Sequence, residues 1–137
     1  MGKRNSTVLF NSLARIYGLF YEIQKKRFTQ VIGIVKKELD IKKFNTILDV
    51  GCGTGALCSV MHDMGLNVTG IDPAEKMLNI ARGKPENKGI RFTQANILER
   101  LPFEDKSFDA SIASYVAHGM GKEERKLIYA EMIRVKL

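Results

Sequence analysis

Long apolar runs are absent from this chain of 137 residues, and no stretch approaches the roughly 18 to 20 apolar residues that a membrane-spanning helix needs. The N-terminus, MGKRNSTVLF, has no apolar segment followed by a small-residue cleavage site, so it does not look like a secretion signal. Both absences predict a soluble, cytoplasmic protein with no membrane span.

Cysteine and proline are also scarce, with two and three residues respectively. Cys52 and Cys58 have no cysteine or histidine neighbours at the spacing of a zinc site. The sequence therefore predicts neither a disulfide framework nor a metal site, and we expect both thiols to be reduced core residues. With 45% hydrophobic residues, the chain is long enough and apolar enough for one globular domain.

Positive charge exceeds negative charge by seven, and the whole excess lies near the N-terminus. Residues 1–43 contain ten Lys/Arg and three Asp/Glu, whereas residues 44–137 contain twelve of each. The basic clusters fit the solvated face of an amphipathic helix, although such an arm can also attract phosphate or another anionic surface. We expect a basic helical arm or lid over residues 1–43 and a separate domain over residues 44–137.

The hydrophobic pattern changes from helical spacing to alternating strands and helices near residue 44. Residues 7–21 and 24–39 have apolar side chains at helical spacing and predict two helices. The later segments predict strands over 46–50, 67–72, 90–95 and 107–114, and helices over 56–65, 73–84 and 121–136. We expect the inward face of the last helix to contain Leu127, Ile128, Met132 and Val135. Alternation at this spacing predicts a parallel sheet built from βαβ units.

A glycine cluster, DVGCGTG, follows the first predicted strand over residues 49–55. Glycines at this point let a ligand approach the main chain, and the next helix presents N–H groups to a negative group. About twenty residues further on, Asp72 ends the second strand, where doubly wound folds place a carboxylate against ribose hydroxyls. The pattern predicts a nucleoside ligand.

The same cluster also satisfies the dinucleotide pattern G-x-G-x-x-G/A, with Ala56 in the third place. Asp49 favours a different ligand, because a carboxylate beside the loop would repel a pyrophosphate but suits an amino or sulfonium group. Asn96 adds a polar residue after the third strand.

Four ordered segments, D49VGCGTG55, G70IDPAEKML78, L101PFEDKSFD109 and E131MIRV135, resemble class I S-adenosylmethionine-dependent methyltransferases of the ubiquinone and menaquinone biosynthesis kind. The resemblance covers roughly residues 45–136. It implies a Rossmann-like, doubly wound α/β fold with strand order 3-2-1-4, N-terminal helices, and S-adenosylmethionine as the cofactor.

The resemblance also implies roles for individual residues. Backbone atoms of the glycine cluster would line the methionine moiety, Asp49 would face its amino group, Asp72 would accept the ribose hydroxyls, and Met77 would pack near the adenine. Asn96 stands where the family usually has Asp beside the adenine amino group. The full cofactor-binding set is Tyr17, Asp49, Gly51, Cys52, Gly53, Asp72, Pro73, Met77, Asn96, Ile97 and Ser114.

Methyl transfer needs a base only when the acceptor must lose a proton, because the donor is already activated. His118 is the candidate base, and Tyr115 falls where the family places residues near the reacting methyl group. Tyr21 and Tyr17 could cap the cofactor or simply pack the lead-in helix. Cys58 and His62 are expected to be packing residues and not a metal pair.

The resemblance implies three further strands after Leu137. Without them, the fourth strand would be an exposed apolar edge that pairs with another copy or a partner. The most favoured function is methylation of a small-molecule acceptor. Two alternatives remain open: a non-catalytic nucleoside-binding or assembly module, and methylation of RNA through the basic arm, which would make binding strongly salt-dependent.

Overall fold

The computed structural model describes residues 2–38, 40–113 and 119–137, with side chains from residue 15 onward except that of Lys42. Four parallel strands form one sheet in the order β3-β2-β1-β4. The elements are α1 (Gly2–Glu38), β1 (Thr46–Val50), α2 (Ala56–Asp63), β2 (Asn67–Asp72), α3 (Glu75–Arg82), β3 (Arg91–Gln94), β4 (Ala110–Ile112) and α4 (Lys122–Val135). The Rossmann-like fold and the predicted strand order are confirmed.

The central strands are apolar because both faces of the sheet are covered. Four of the five residues of β1 and five of the six residues of β2 are buried. One core cluster packs α2 and α3 on one face of the sheet, and a second packs α4 and the loop after β3 on the other. The loop between β1 and α2 is therefore fixed at the carboxyl end of a rigid central strand.

The N-terminal arm differs from the prediction of two helices, because α1 is continuous from Gly2 to Glu38. No proline separates the two predicted segments, so nothing in the chain forces a break there. The helix packs against α2 and α3. Tyr21 also contacts the segment after α3: its buried hydroxyl donates to Glu86 Oε1 at 2.9 Å, and Lys84 Nζ lies 4.7 Å from the ring centroid. The boundary at residue 43 stays a prediction.

The inward face of α4 is only partly as predicted. Ile128 and Val135 are buried and Met132 is half-buried, but Leu127 is 53% exposed. Leu127 directly precedes Ile128, so the helical turn of about 100° carries its side chain away from the core face.

The edge of the sheet at β4 is partly paired by the last residues of the chain. The N–H of Phe108 donates to the carbonyl of Val135, and the N–H of Leu137 donates to the carbonyl of Phe108. Beyond that point, β4 pairs with β1 on one side. Self-association through this edge stays a prediction. No helix in the described ranges is both long and apolar enough to cross a membrane.

Candidate functional site

The loop between β1 and α2 is a tight turn that only glycine permits at several positions. Gly51, Gly53 and Gly55 all have positive φ angles, of 75°, 56° and 80°. A Cβ at Gly55 would lie 2.9 Å from the Phe92 ring, whereas a Cβ at Gly53 would meet open space. Gly55 is thus needed for packing, and Gly53 leaves room beside the loop.

A cleft of about 270 Å³ opens beside Gly53. Its lining joins the glycine loop, the first turn of α2, one residue of α3 and one face of α1. The lining residues are Phe20, Gln24, Phe28, Gly51, Cys52, Gly53, Thr54, Ala56, Leu57 and Met77. Gly51, Cys52, Gly53 and Met77 therefore lie together as the sequence predicts.

Three consecutive N–H groups of the loop are used inside the protein. Those of Gly51 and Cys52 donate to the carbonyl of Ile71, and that of Gly53 donates to Asp72 Oδ2 at 2.9 Å. These three donors are unavailable to an anionic ligand, which differs from a loop that cradles a pyrophosphate.

Asp72, the residue predicted to accept the ribose hydroxyls, also bonds the glycine loop through the N–H of Gly53. Its other oxygen, Oδ1, accepts the N–H of Ala74 at 2.8 Å, and the side chain is 9% exposed. Each carboxylate oxygen has a second lone pair, so Asp72 keeps the capacity to accept ribose hydroxyls. The sequence did not reveal that the same carboxylate braces Gly53.

Asp49 is fully buried at the end of β1, and its Oδ2 accepts a hydrogen bond from Cys58 Sγ at 3.3 Å. Its Oδ1 has no hydrogen-bond partner within the described parts of the chain. Burial raises the pKa of Asp49 to about 7, with a further contribution from the charge of Asp72. A buried carboxylate oxygen without a partner fits a ligand that brings an ammonium group.

The two cysteines pack together beneath the loop. A Cβ on Gly70 would lie 2.8 Å from Cys52 Sγ and 3.0 Å from Cys58 Sγ, so β2 needs glycine at this position. Contact with Cys52, burial and the charge of Asp49 raise the pKa of the Cys58 thiol. A raised pKa makes a thiol unreactive, in keeping with the predicted packing role.

The aromatic cover of the cleft comes from different residues than the sequence predicts. Phe20, Gln24 and Phe28 recur every four positions and line the cleft from one face of α1. Tyr17 is half-buried but is not among the lining residues. Tyr21 packs α1 against the rest of the protein, and burial raises its pKa to about 12. The spacing of 20, 24 and 28 is the signal that would have found this face.

The predicted adenine side of the site is less complete. Asn96 is exposed, and its Oδ1 accepts the N–H of Leu98 at 3.0 Å, so the amide oxygen already closes a local turn. Ile97 is buried in the core cluster of the opposite sheet face, and Pro73 is exposed. None of the three lines the cleft. Ser114, Tyr115 and His118 lie outside the described residues, so their roles stay predictions.

The last two of the four segments that resemble the family form a hydrogen-bond network between α4 and the loop before β4. Arg134 donates to the carbonyls of Leu101 and Phe103 at 3.1 and 2.8 Å, and to Asp105 Oδ1 at 2.8 Å. Glu131 pairs with Arg134 and accepts the N–H of Leu101 at 2.8 Å. These residues hold the fold and do not reach the cleft.

A second cavity, of about 500 Å³, adjoins the cleft, and Phe28 and Leu57 line both. Its walls are mainly apolar residues of α1, α2, β1 and β4. In the described ranges, no three His, Cys, Asp or Glu side chains group as a metal site would require.

Residues 47–136 match a family model described as a methyltransferase domain. The demethylmenaquinone methyltransferase of Staphylococcus aureus is 33% identical over 123 residues, which covers 78% of this chain and 48% of that protein. The chain spans less than half the length of the curated relatives it matches.

Solved structures show the same likeness. A Pyrococcus horikoshii protein superposes with a TM-score of 0.73 at 27% identity, covering 82% of this chain and 53% of that one. An S-adenosylmethionine-dependent methyltransferase of Methanosarcina mazei has a TM-score of 0.59 at 31% identity, covering 67% of this chain and 47% of its own.

Proposed function

The chain belongs to the class I S-adenosylmethionine-dependent methyltransferase family, and from that membership we propose that it binds S-adenosylmethionine in the cleft and transfers the methyl group to a small, largely apolar acceptor. The observation that carries the proposal is the unpartnered oxygen of Asp49, buried at the end of β1 beside a loop in which the N–H groups of Gly51, Cys52 and Gly53 are already bonded. Both features favour a cationic ligand over a pyrophosphate.

The residues that line the cleft and the two carboxylates behind its glycine loop would bind the cofactor in distinct ways. Asp49 and Asp72 are buried behind the glycine loop and are not among the residues that line the cleft. Asp49 would accept a hydrogen bond from the ammonium group of the methionine moiety, directly or through water. Asp72 would accept hydrogen bonds from the ribose hydroxyls while it also accepts the N–H of Gly53. Phe20 and Phe28 would exclude water from above the loop. The cofactor itself supplies an electrophilic methyl group on a sulfonium, so the protein has only to bind, orient and dry the reactants.

The acceptor would lie in the apolar cavity that shares Phe28 and Leu57 with the cleft. Its walls suit an apolar body better than a polyanion. The Staphylococcus aureus relative is named for demethylmenaquinone, which supports an acceptor of this class. His118 as base, with Tyr115 nearby, stays part of the proposal for an acceptor that must lose a proton.

Isothermal titration with S-adenosylhomocysteine tests the cofactor. We expect micromolar binding and no binding of NAD⁺. Asp49→Asn should weaken binding roughly thirtyfold, because a charge-assisted hydrogen bond is lost. The matched control is Asp63→Asn, since Asp63 is half-exposed and pairs with Lys25 on the surface. A folded protein that binds NAD⁺, or whose affinity for S-adenosylhomocysteine ignores Asp49→Asn, would contradict the proposal.

The acceptor class needs a separate assay. Labelled S-adenosylmethionine should transfer its methyl group to demethylmenaquinone or a similar apolar acceptor, and not to bulk RNA. Transfer to RNA alone would favour the RNA alternative, and tight cofactor binding without any turnover would favour a non-catalytic module.

A further inference from the structure

The outer side of α1 carries apolar side chains that nothing covers in the described parts of the chain. Ile16, Leu19, Ile23 and Ile34 are 60%, 65%, 45% and 66% exposed. At 3.6 residues per turn, these four positions fall within an arc of about 60° around the helix. We call them the outer stripe.

The outer stripe lies beside the face that covers the cleft, with Phe20 about 40° and Phe28 about 120° from its nearest edge around the helix. Tyr21, which is fully buried, lies about 140° from the same edge. A helix that is amphipathic through one buried face gains nothing from a second apolar face in water. The outer stripe therefore indicates a partner.

Positive charge accompanies the outer stripe. From Arg15 to Glu38 the helix carries six Lys/Arg and two Glu. Lys26, Arg27 and Lys37 are exposed and lie within or next to the arc of the stripe, whereas Lys25 is turned toward α2 and pairs with Asp63 at 3.2 Å. The partner therefore combines an apolar interior with a negative surface.

We propose that the outer side of α1 binds an anionic lipid surface, with the outer stripe inserted at the level of the acyl chains and Lys26, Arg27 and Lys37 among the phosphates. An exposed apolar stripe bordered by basic residues is typical of helices that lie in a membrane interface. A nucleic acid would satisfy the charges but not the four apolar side chains. The proposal concerns surface binding and requires neither a membrane-spanning segment nor the cofactor.

Vesicle co-sedimentation tests the proposal with the whole chain. We expect binding to vesicles of phosphatidylcholine and phosphatidylglycerol in equal parts, and little binding to pure phosphatidylcholine. Leu19→Glu should reduce binding at least tenfold, because a carboxylate would enter the apolar layer beside anionic lipid. The matched control is Leu127→Glu on α4, where the leucine is 53% exposed but outside the basic helix.

The charge contribution is tested independently. The double variant Lys26→Gln, Lys37→Gln should weaken binding to the anionic vesicles roughly thirtyfold. The control Lys76→Gln, Lys88→Gln removes the same net charge from two exposed lysines elsewhere and should have little effect. Circular dichroism and titration with S-adenosylhomocysteine establish that each variant remains folded.

Three results would overturn the proposal. Equal loss of vesicle binding in Leu19→Glu and Leu127→Glu would remove the outer stripe as the contact. Binding to RNA without binding to vesicles would assign the basic residues to nucleic acid. A dimer in sedimentation equilibrium that Leu19→Glu dissociates, without vesicle binding, would assign the stripe to a second copy.

Discussion

The glycine loop and the hydrogen-bond network around Arg134 both contain segments that resemble the family. They differ in whether their polar atoms have hydrogen-bond partners. Around Arg134, side chains and carbonyls of α4 and the loop before β4 are paired with one another. Around the glycine loop, Asp49 Oδ1 and Thr54 Oγ1 are buried with no partner within the described residues. Unpaired buried atoms cost free energy, so their persistence is a sign of ligand binding, whereas complete pairing is a sign of structure.

The two regions also differ in how their carboxylates titrate. Hydrogen bonds from Arg134 lower the pKa of Glu131, whereas burial raises the pKa of Asp49 to about 7. The first carboxylate is already stabilised as an anion by the protein. The second still lacks a positive group, and we propose that the ligand brings it.

The largest expected effect on stability comes from removing the hydrogen bonds of Arg134. Arg134→Ala removes the donor from the carbonyls of Leu101 and Phe103 and leaves Glu131 with only the N–H of Leu101, so we expect the melting temperature to fall on the order of 10 °C. Affinity for S-adenosylhomocysteine at a temperature where the variant is folded should stay unchanged. The control is Arg100→Ala, since Arg100 is 73% exposed and makes one long contact with Asp105. Loss of affinity in the folded variant would contradict the division between the two regions.

The next prediction concerns Gly55, the loop glycine that packs against Phe92 and Ala81. Gly55→Ala combines a positive φ of 80° with a Cβ only 2.9 Å from the Phe92 ring and 3.0 Å from the Ala81 methyl group. We expect it to lower the free energy of unfolding by about 3 kcal/mol, measured by urea denaturation. An effect below about 1 kcal/mol would mean that Phe92 moves aside freely, and that the loop is less tightly packed than the structure indicates.

Gly53, in contrast to Gly55, has open space where a side chain would begin. Its φ of 56° suits the left-handed region, and a Cβ there meets open space, so Gly53→Ala should cost only about 1 kcal/mol of unfolding free energy. The added methyl group faces the cleft, however, and should weaken binding of S-adenosylhomocysteine by tenfold or more. Titration and urea denaturation of both alanine variants give the comparison. If Gly53→Ala leaves the affinity unchanged, the ligand does not occupy the cleft beside the loop.

Local patterns were sufficient to predict the strands around the cofactor loop, because β1 and β2 are buried on both faces and bounded by glycine or a helix start. The bounds of β1 and β2 match the predictions residue for residue. The loop glycines and Met77 were placed together for the same reason.

The remaining features depend on contacts between distant residues. The sequence pattern predicts two helices separated by two residues, whereas α1 is one continuous helix. The spacing of residues 20, 24 and 28 marks a common helix face, but that this face turns toward the cleft depends on how α1 packs on the rest of the protein. Asn96 reads as an adenine contact until the structure shows its amide oxygen bonded to Leu98. Asp72 likewise reads only as a ribose ligand until Gly53 is seen to donate to it.

The buried carboxylate should also make the stability of the protein depend on pH. The folded protein holds the Asp49 proton up to a pH of about 7, whereas an ordinary aspartate releases it near 3.8. Because the folded state binds more protons in this window, the free energy of unfolding should fall as the pH rises from about 4 to about 7, by at most about 1.4 kcal/mol per pH unit, and then level off. The difference between wild-type and Asp49→Asn denaturation curves isolates this contribution, since Asn cannot titrate.

Ligand binding should show the opposite trend with pH. An ammonium group at Asp49 Oδ1 favours the ionised carboxylate, so below pH 7 the site must release a proton before it binds, and affinity for S-adenosylhomocysteine should weaken by up to tenfold per pH unit. Asp49→Asn should remove this dependence along with most of the affinity, whereas Asp63→Asn should retain it. Affinity in the wild type that is flat from pH 5 to pH 8, as titration would reveal, would mean that the ligand leaves Asp49 protonated and that the contrast with Glu131 has another cause.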